Sequence, residues 1–183
     1  ALFLIPLGSA ILLMLTPSRE RSAIIAITAA ASLAMFVISV WVFARYDYNG
    51  EQFQGVIAWT WAENVGFLGE KGIQLKIGLD GIAAPMVLLT GIVIMAGTWV
   101  SWKVQHRTKD FFILLYVLVA GVYGTFVMLD LFFWFLLYET AVLPMYLLIA
   151  VWGSTRKEYG AMKLMMMLVA ASILIFAAIF AIY

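Results

Sequence analysis

The sequence predicts an all-α polytopic membrane protein with six transmembrane helices and one short β-hairpin-like extramembrane loop. Three observations predict it. Hydrophobic residues make up 66% of the chain and charged residues 11%, more apolar surface than a soluble domain of 183 residues can hide. The apolar residues fall into runs close to the roughly 20 needed to cross the hydrocarbon core. Charged and turn-forming residues collect between these runs rather than within them.

In chain order, the predicted helices are 2–16, 23–44, 81–102, 111–129, 131–152 and 164–183, within a single membrane domain covering 1–183. The first run is short and closes at "TPSRERS", where Pro17 and the charges Arg19, Glu20 and Arg21 stop it. "SWKVQHRTKD" separates the third helix from the fourth, and "GSTRKEYGAMK" the fifth from the sixth. Only Asp130 interrupts the apolar sequence between the fourth and fifth, so a tight helical hairpin is expected there. None of the runs alternates as a membrane barrel strand does. The chain opens at Ala1 and stops at Tyr183 inside apolar sequence, which suggests a piece of a longer protein.

The loop 45–80 differs. "FQGVIAWTW" and "GIQLKIGLD" alternate and are rich in β-branched and aromatic residues, with "GEKG" between them. Two short strands lying on the bilayer are expected, with Trp59 and Trp61 at headgroup level. Eight Lys and Arg residues lie in the first, third and fifth loops (Arg19, Arg21, Lys103, Arg107, Lys109, Arg156, Lys157 and Lys163) against three in the others (Arg45, Lys71 and Lys76). The positive-inside rule puts the odd loops in the cytoplasm and the N-terminus outside. Trp99, Trp102 and Trp152 then mark the inner interface, and Trp41 and Trp134 the outer.

Several kinds of chemistry find no support. Cysteine is absent, which excludes disulfides, thiolate metal sites and cysteine nucleophiles. No phosphate loop, Ser–His–Asp grouping or metal-ligand cluster is present, and a net charge of +1 gives no reason to expect nucleic acid. His106 reads as solvated in a basic loop, Asp80 and Asp130 as helix caps, and "MKLMMML" as adaptable packing.

The polar residue that needs an account is Glu139. It stands about 8 residues into the fifth helix, roughly 12 Å deep at 1.5 Å per residue. A carboxylate at that depth costs a few kcal/mol or more and is a functional hypothesis by default. Apolar surroundings favour its neutral acid and a nearby cation favours the anion, so a changing environment suits a proton carrier. The competing reading is a structural Glu bonded to a neighbouring helix. Pro144 lacks an N–H, so the Thr140 carbonyl loses its helical partner. Thr140 and Pro144 are therefore expected to kink or open the helix and form a hydrated node beside Glu139. Lys163 is read as a snorkelling anchor or as a relay feeding a water path.

"FWFLLYETAVLPMYLLIAVWG", "IGLDGIAAPMVLLT" and "YGAMKLMMMLVAASILI" together resemble the antiporter-like membrane subunits of respiratory complex I, the NADH–quinone oxidoreductase chain M or mitochondrial chain 4 family. The resemblance covers most of Ile77 to the end, in order and spacing. It implies the N-terminal part of a longer subunit with a partial antiporter-like fold. It also implies that Glu139 is the key acid of a proton pathway and that Lys163 matches a relay lysine, although "MKL" departs from the family's "TKF". Partners would be the other membrane subunits, lipid and protons. The chain itself would hold no cofactor, with FMN, iron–sulfur clusters and quinone in other subunits. A subunit of an Mrp-type sodium/proton antiporter is the alternative, and a non-transporting membrane scaffold a further one.

Overall fold

The computed structural model describes residues 2–18, 20–48, 50–62, 73–104 and 106–182. Six α-helices and a two-stranded sheet follow one another as α1 (Leu4–Leu15), α2 (Arg21–Arg45), β1 (Gln54–Ala62), β2 (Ile73–Leu79), α3 (Ala83–Val100), α4 (Thr108–Val127), α5 (Leu131–Trp152) and α6 (Lys157–Ile182), with a 3-10 turn at Ser101–Lys103. Helices α2 to α6 are long and apolar enough to cross a membrane. The twelve residues of α1 rise about 18 Å, short of a full span.

Three helices open in ways the sequence explains. Pro6 and Pro85 each fall in the first turn, of α1 and α3, where the amide has no helical acceptor to lose. The Asp80 side chain accepts a hydrogen bond from the Ala83 amide, and Asp130 accepts from Phe132 and Phe133 at 3.0 and 3.2 Å. Both aspartates therefore cap helices, as their positions suggested.

Two boundaries differ from the hydropathy reading by more than two residues. Helix α6 opens at Lys157 rather than 164, and α4 at Thr108 rather than 111. Hydropathy marks the hydrocarbon-facing stretch. A helix extends past it wherever its polar first turn is favourable, as with Glu158 and Asp110 at the positive end of the helix dipole. Lys163 consequently lies inside α6 and not at its start. The residues ahead of these helices, Arg107 and Arg156, hold left-handed backbone with φ of 51° and 57°.

Helix α4 is the hub. It packs on α1 and α5 and touches α2 and α3, while α2 pairs with α3 and α5 with α6. Phe112, Tyr116, Tyr123 and Gly124 of α4 are buried, and Leu13, Ile24, Met35 and Val87 from α1, α2 and α3 close the core around them. The α4–α5 contact depends on Gly121. A Cβ there would lie 2.9 Å from Ala141 Cβ and 3.0 Å from the Leu137 carbonyl oxygen. No side chain fits between these backbones. Helix α6 is attached along a narrow stripe in which Ala161, Ser172 and Ile179 are buried.

The strands pair antiparallel, with Ile57 opposite Ile77 and Trp59 opposite Leu75. This is the hairpin that the alternating sequence implied. Its turn and the side chain of Trp61 lie outside the described residues. Trp59 is 74% exposed. The outer edge of β2 bridges Met128, and the Leu129 amide donates to the Lys76 carbonyl at 2.8 Å. Gly78 permits this approach, because a Cβ there would sit 2.7 Å from Leu129 Cδ1.

At the opposite end of the bundle, Arg21 donates to the Trp102 carbonyl at 3.0 Å, Lys109 to the Met14 carbonyl at 2.9 Å and Trp152 Nε1 to the His106 carbonyl at 2.8 Å. The first, third and fifth connections thus meet at one end, and the hairpin and the α4–α5 turn at the other. Trp99 and Trp102 stack at the former, with ring centroids 5.7 Å apart.

Candidate functional site

Helix α5 is nearly unbroken apolar sequence, so its sides are distinguished by what packs on them rather than by polarity. One side meets α4 through Leu137 and Ala141, and another faces α6. Between α5 and α6, with Val117 of α4 at the back, lies an open cleft of about 790 Å³. Its walls are formed by Phe135, Leu136, Leu143 and Pro144 on one side and Met165 and Phe176 on the other. The Phe135 and Phe176 rings, 5.3 Å apart, join the helices there.

Glu139 lines this cleft and is its only carboxylate among the described residues. Its Oε1 atom is buried and has no hydrogen-bond partner among the described residues. A buried carboxylate oxygen left unpaired is unfavourable whichever protonation state it holds, and more so as the anion.

Thr140 and Pro144 line the same cleft. The Thr140 hydroxyl donates to the Leu136 carbonyl at 2.8 Å, one turn back, so it is turned toward its own helix. Helix α5 continues through Pro144 without interruption. Since residue 144 carries no amide hydrogen, the Thr140 carbonyl has no helical donor at that position.

Lys163 is separate from this group. It is exposed on α6, makes no hydrogen bond or ion pair among the described residues and does not line the cleft. Met165, which does line the cleft, stands two residues after it on α6, about 3 Å along the axis. No group of three or more His, Asp or Glu residues that could hold a metal ion occurs among the described residues.

Sequence reasoning missed a second polar feature, a set of buried hydroxyls between α2, α3 and α4. Thr28, Ser32 and Ser39 of α2, Thr98 of α3 and Tyr116 and Tyr123 of α4 all point inward. The signal was present as the spacing of Thr28, Ser32 and Ser39, which puts all three on one face of α2.

No family model matches the chain. Curated relatives match it along nearly its whole length. NAD(P)H-quinone oxidoreductase chain 4 3 of Picosynechococcus sp. is 33% identical over 97% of this chain and 32% of its own length. The chloroplastic NAD(P)H-quinone oxidoreductase chain 4 of Chara vulgaris is 32% identical over 98% of this chain and 35% of its own length. Among solved structures, a chain of the membrane-bound sulfane sulfur reductase, an archaeal respiratory membrane complex, superposes with a TM-score of 0.70 at 20% identity, covering 93% of this chain and 34% of that one. The likeness at that identity is one of fold. The chain is an integral membrane protein that spans about a third of the length of these relatives, and over that third its sequence is similar to that of the NAD(P)H-quinone oxidoreductase chain 4 proteins.

Proposed function

We propose that the chain is the N-terminal part of a proton-translocating membrane-arm subunit of an NADH–quinone oxidoreductase, with Glu139 as the proton carrier. In this reading all six helices lie in the membrane, α1 included, and quinone reduction takes place in other subunits. The observation that carries it is that Glu139, which lines an open cleft between α5 and α6, keeps a buried Oε1 with no hydrogen-bond partner among the described residues. Among the described residues no neighbouring helix supplies a donor to that oxygen, which favours a carrier over a glutamate held only for structure. The homology to chain 4 proteins favours this reading over an Mrp-type antiporter or a scaffold.

The proposed mechanism uses the chain's own groups. In the apolar cleft the neutral acid is favoured. A cation brought to the cleft favours the carboxylate and releases the proton, and its departure lets Glu139 be reloaded. The Thr140 carbonyl, left without a helical donor by Pro144, provides an acceptor at which water can reach the acid. Lys163 lies off the cleft and acts, in this reading, only through water. The partners are the remaining membrane subunits, lipid and protons. The membrane is the bacterial inner membrane, with the N-terminus outside and the basic end of the bundle in the cytoplasm.

The test is Glu139→Gln in the assembled complex. Gln keeps shape and hydrogen-bonding capacity but cannot ionise. Assembly is expected to persist while proton pumping falls steeply, and Glu139→Asp is expected to retain part of it. Normal pumping by an assembled Gln variant would end the carrier reading.

A further inference from the structure

We infer that the hairpin end of α2 holds a phospholipid of the surrounding bilayer, with its phosphate on Arg45 and one acyl chain along Trp41, Val37 and Leu33. The site shares no residue with the Glu139 cleft. It rests on the membrane span of α2 and not on the proton-carrier reading. It begins from a spacing. Leu33, Val37, Trp41 and Arg45 follow one another at intervals of four, so they form one inclined ridge on α2. All four are exposed, Trp41 to 60%. From Leu33 to Arg45 the ridge rises about 18 Å, against about 15 Å for half of the hydrocarbon core.

The ridge ends in a pocket. Residues from the end of α2, the start of β1 and Leu79 of β2 surround an open hollow of about 140 Å³, several times the roughly 30 Å³ that a water occupies. Two of its polar side chains are already committed. Gln54 Nε2 donates to the Asp47 carbonyl, and Gln54 Oε1 accepts from the Asp47 amide. The Tyr46 hydroxyl donates to the Gln52 carbonyl at 3.3 Å. Arg45 and Trp41 also line the hollow, and among the described residues neither donates a hydrogen bond from its side chain. Arg45 forms no ion pair there either, with Asp47 and Glu51 the acids nearest in sequence. Gly55, at φ of 64° and with no atom within 4 Å of where its Cβ would stand, leaves the mouth clear.

Arg45 is held over the Trp41 ring, 5.5 Å from its centroid. Such a contact steadies the guanidinium without neutralising its charge. A positive group with free N–H donors at the edge of the hydrocarbon is complementary to an anion at the same level. The guanidinium fork matches phosphate oxygens through two parallel hydrogen bonds. A phospholipid carries its phosphate at this level and its acyl chains toward the midplane. The charge selects the headgroup, and the ridge from Trp41 to Leu33 gives the chain apolar surface to lie on. Trp41 stands where the two meet, as an amphipathic ring does at an interface, with its indole N–H available to a phosphate or ester oxygen. An inorganic phosphate would use the pocket and leave the ridge bare. The two in line commit the site to lipid.

The experiment is a density map of the full-length chain in its membrane assembly, reconstituted in bilayers of phosphatidylethanolamine and phosphatidylglycerol, at a resolution where bound lipid is visible. It would compare the wild type with Arg45→Gln and Arg45→Lys. In the wild type a headgroup peak is expected within hydrogen-bonding distance of the Arg45 guanidinium, continuous with a tail along Val37 and Leu33. Both are expected to vanish in Arg45→Gln and to weaken in Arg45→Lys, which keeps the charge without the fork. A compact peak with no tail would overturn the inference in favour of a free anion. A helix of another subunit seated on the ridge would also overturn it, as would a bare ridge in a wild-type map that resolves lipid elsewhere. Headgroup and tail of unchanged strength in Arg45→Gln would overturn it too, because Arg45 would then not be a ligand. Should the Gln variant fail to assemble, the wild-type and Lys maps alone decide.

Discussion

The hydroxyls of Ser39 and Tyr123 meet 2.9 Å apart across the α2–α4 contact, both buried. Ser39 already donates to the Met35 carbonyl at 2.8 Å, so Tyr123 is the donor of the pair. The two substitutions that break the bond are therefore unequal. Tyr123→Phe leaves Ser39 bonded to its own helix and is expected to cost about 0.5–1.5 kcal/mol. Ser39→Ala strands a buried phenol hydroxyl and is expected to cost about 1–3 kcal/mol. Thermal unfolding in mild detergent should rank Ser39→Ala below Tyr123→Phe, with the double variant close to the latter. The reverse order would mean that Tyr123 finds another acceptor.

Gly121 sets the distance between α4 and α5. Gly121→Val would drive a branched side chain into the Leu137 carbonyl and Ala141, both of which lie about where its Cβ must go. A loss of about 1–3 kcal/mol or more is expected from such overpacking. Ala141→Gly should recover only part of it, because the Ala141 amide and the Leu137 carbonyl are backbone and stay in place. Full recovery in the double variant would show that only the Ala141 methyl had been in the way.

Asp130 holds the first turn of α5. Asp130→Ala removes the acceptor used by the Phe132 and Phe133 amides and is expected to cost about 0.5–2 kcal/mol, whereas Asp130→Asn keeps an acceptor and should cost less. Thermal unfolding of the two variants under identical conditions separates the cap from a charge effect. Equal losses would point to the charge.

Orientation is open to chemical labelling, and the absence of cysteine makes it clean. A cysteine at position 107, in the basic connection between α3 and α4, and one at position 54, at the start of β1, are expected to react from opposite sides of sealed vesicles. The Arg107 variant should label from the cytoplasmic side. Labelling of both from one side would refute the antiparallel arrangement across the membrane.

Much of the fold was legible because the sequence separates its signals. Alternation at 53–61 and 72–80 marked both strands, and the lone Asp130 between two apolar runs marked a turn and a cap at once. The start of α6 was not legible, because hydropathy reports where hydrocarbon begins and not where helix begins. Glu139 stood out as a charge at depth, yet its unpaired oxygen is a property of packing that no local pattern carries. The buried hydroxyls were legible only in part: the spacing of Thr28, Ser32 and Ser39 puts them on one face of α2, but Thr98, Tyr116 and Tyr123 are buried with them only through the packing of α3 and α4.

The pairing of Leu129 with Lys76 has a mechanical consequence. With β1 on one edge and the α4–α5 turn on the other, β2 is a crossbar to which the first turn of α5 is fastened, and the Asp130 cap tightens that fastening. A rod pinned at one end is a lever, and Pro144, in its far half, is a natural fulcrum. Displacement of α5 is then smallest at the hairpin and largest toward Trp152, where its side-chain bond to the His106 carbonyl is the latch to be released. The α5 residues that line the cleft, from Phe132 to Pro144, lie on the pinned side of this fulcrum, so a bend there carries Met145 to Trp152 and leaves the cleft wall with the hairpin end.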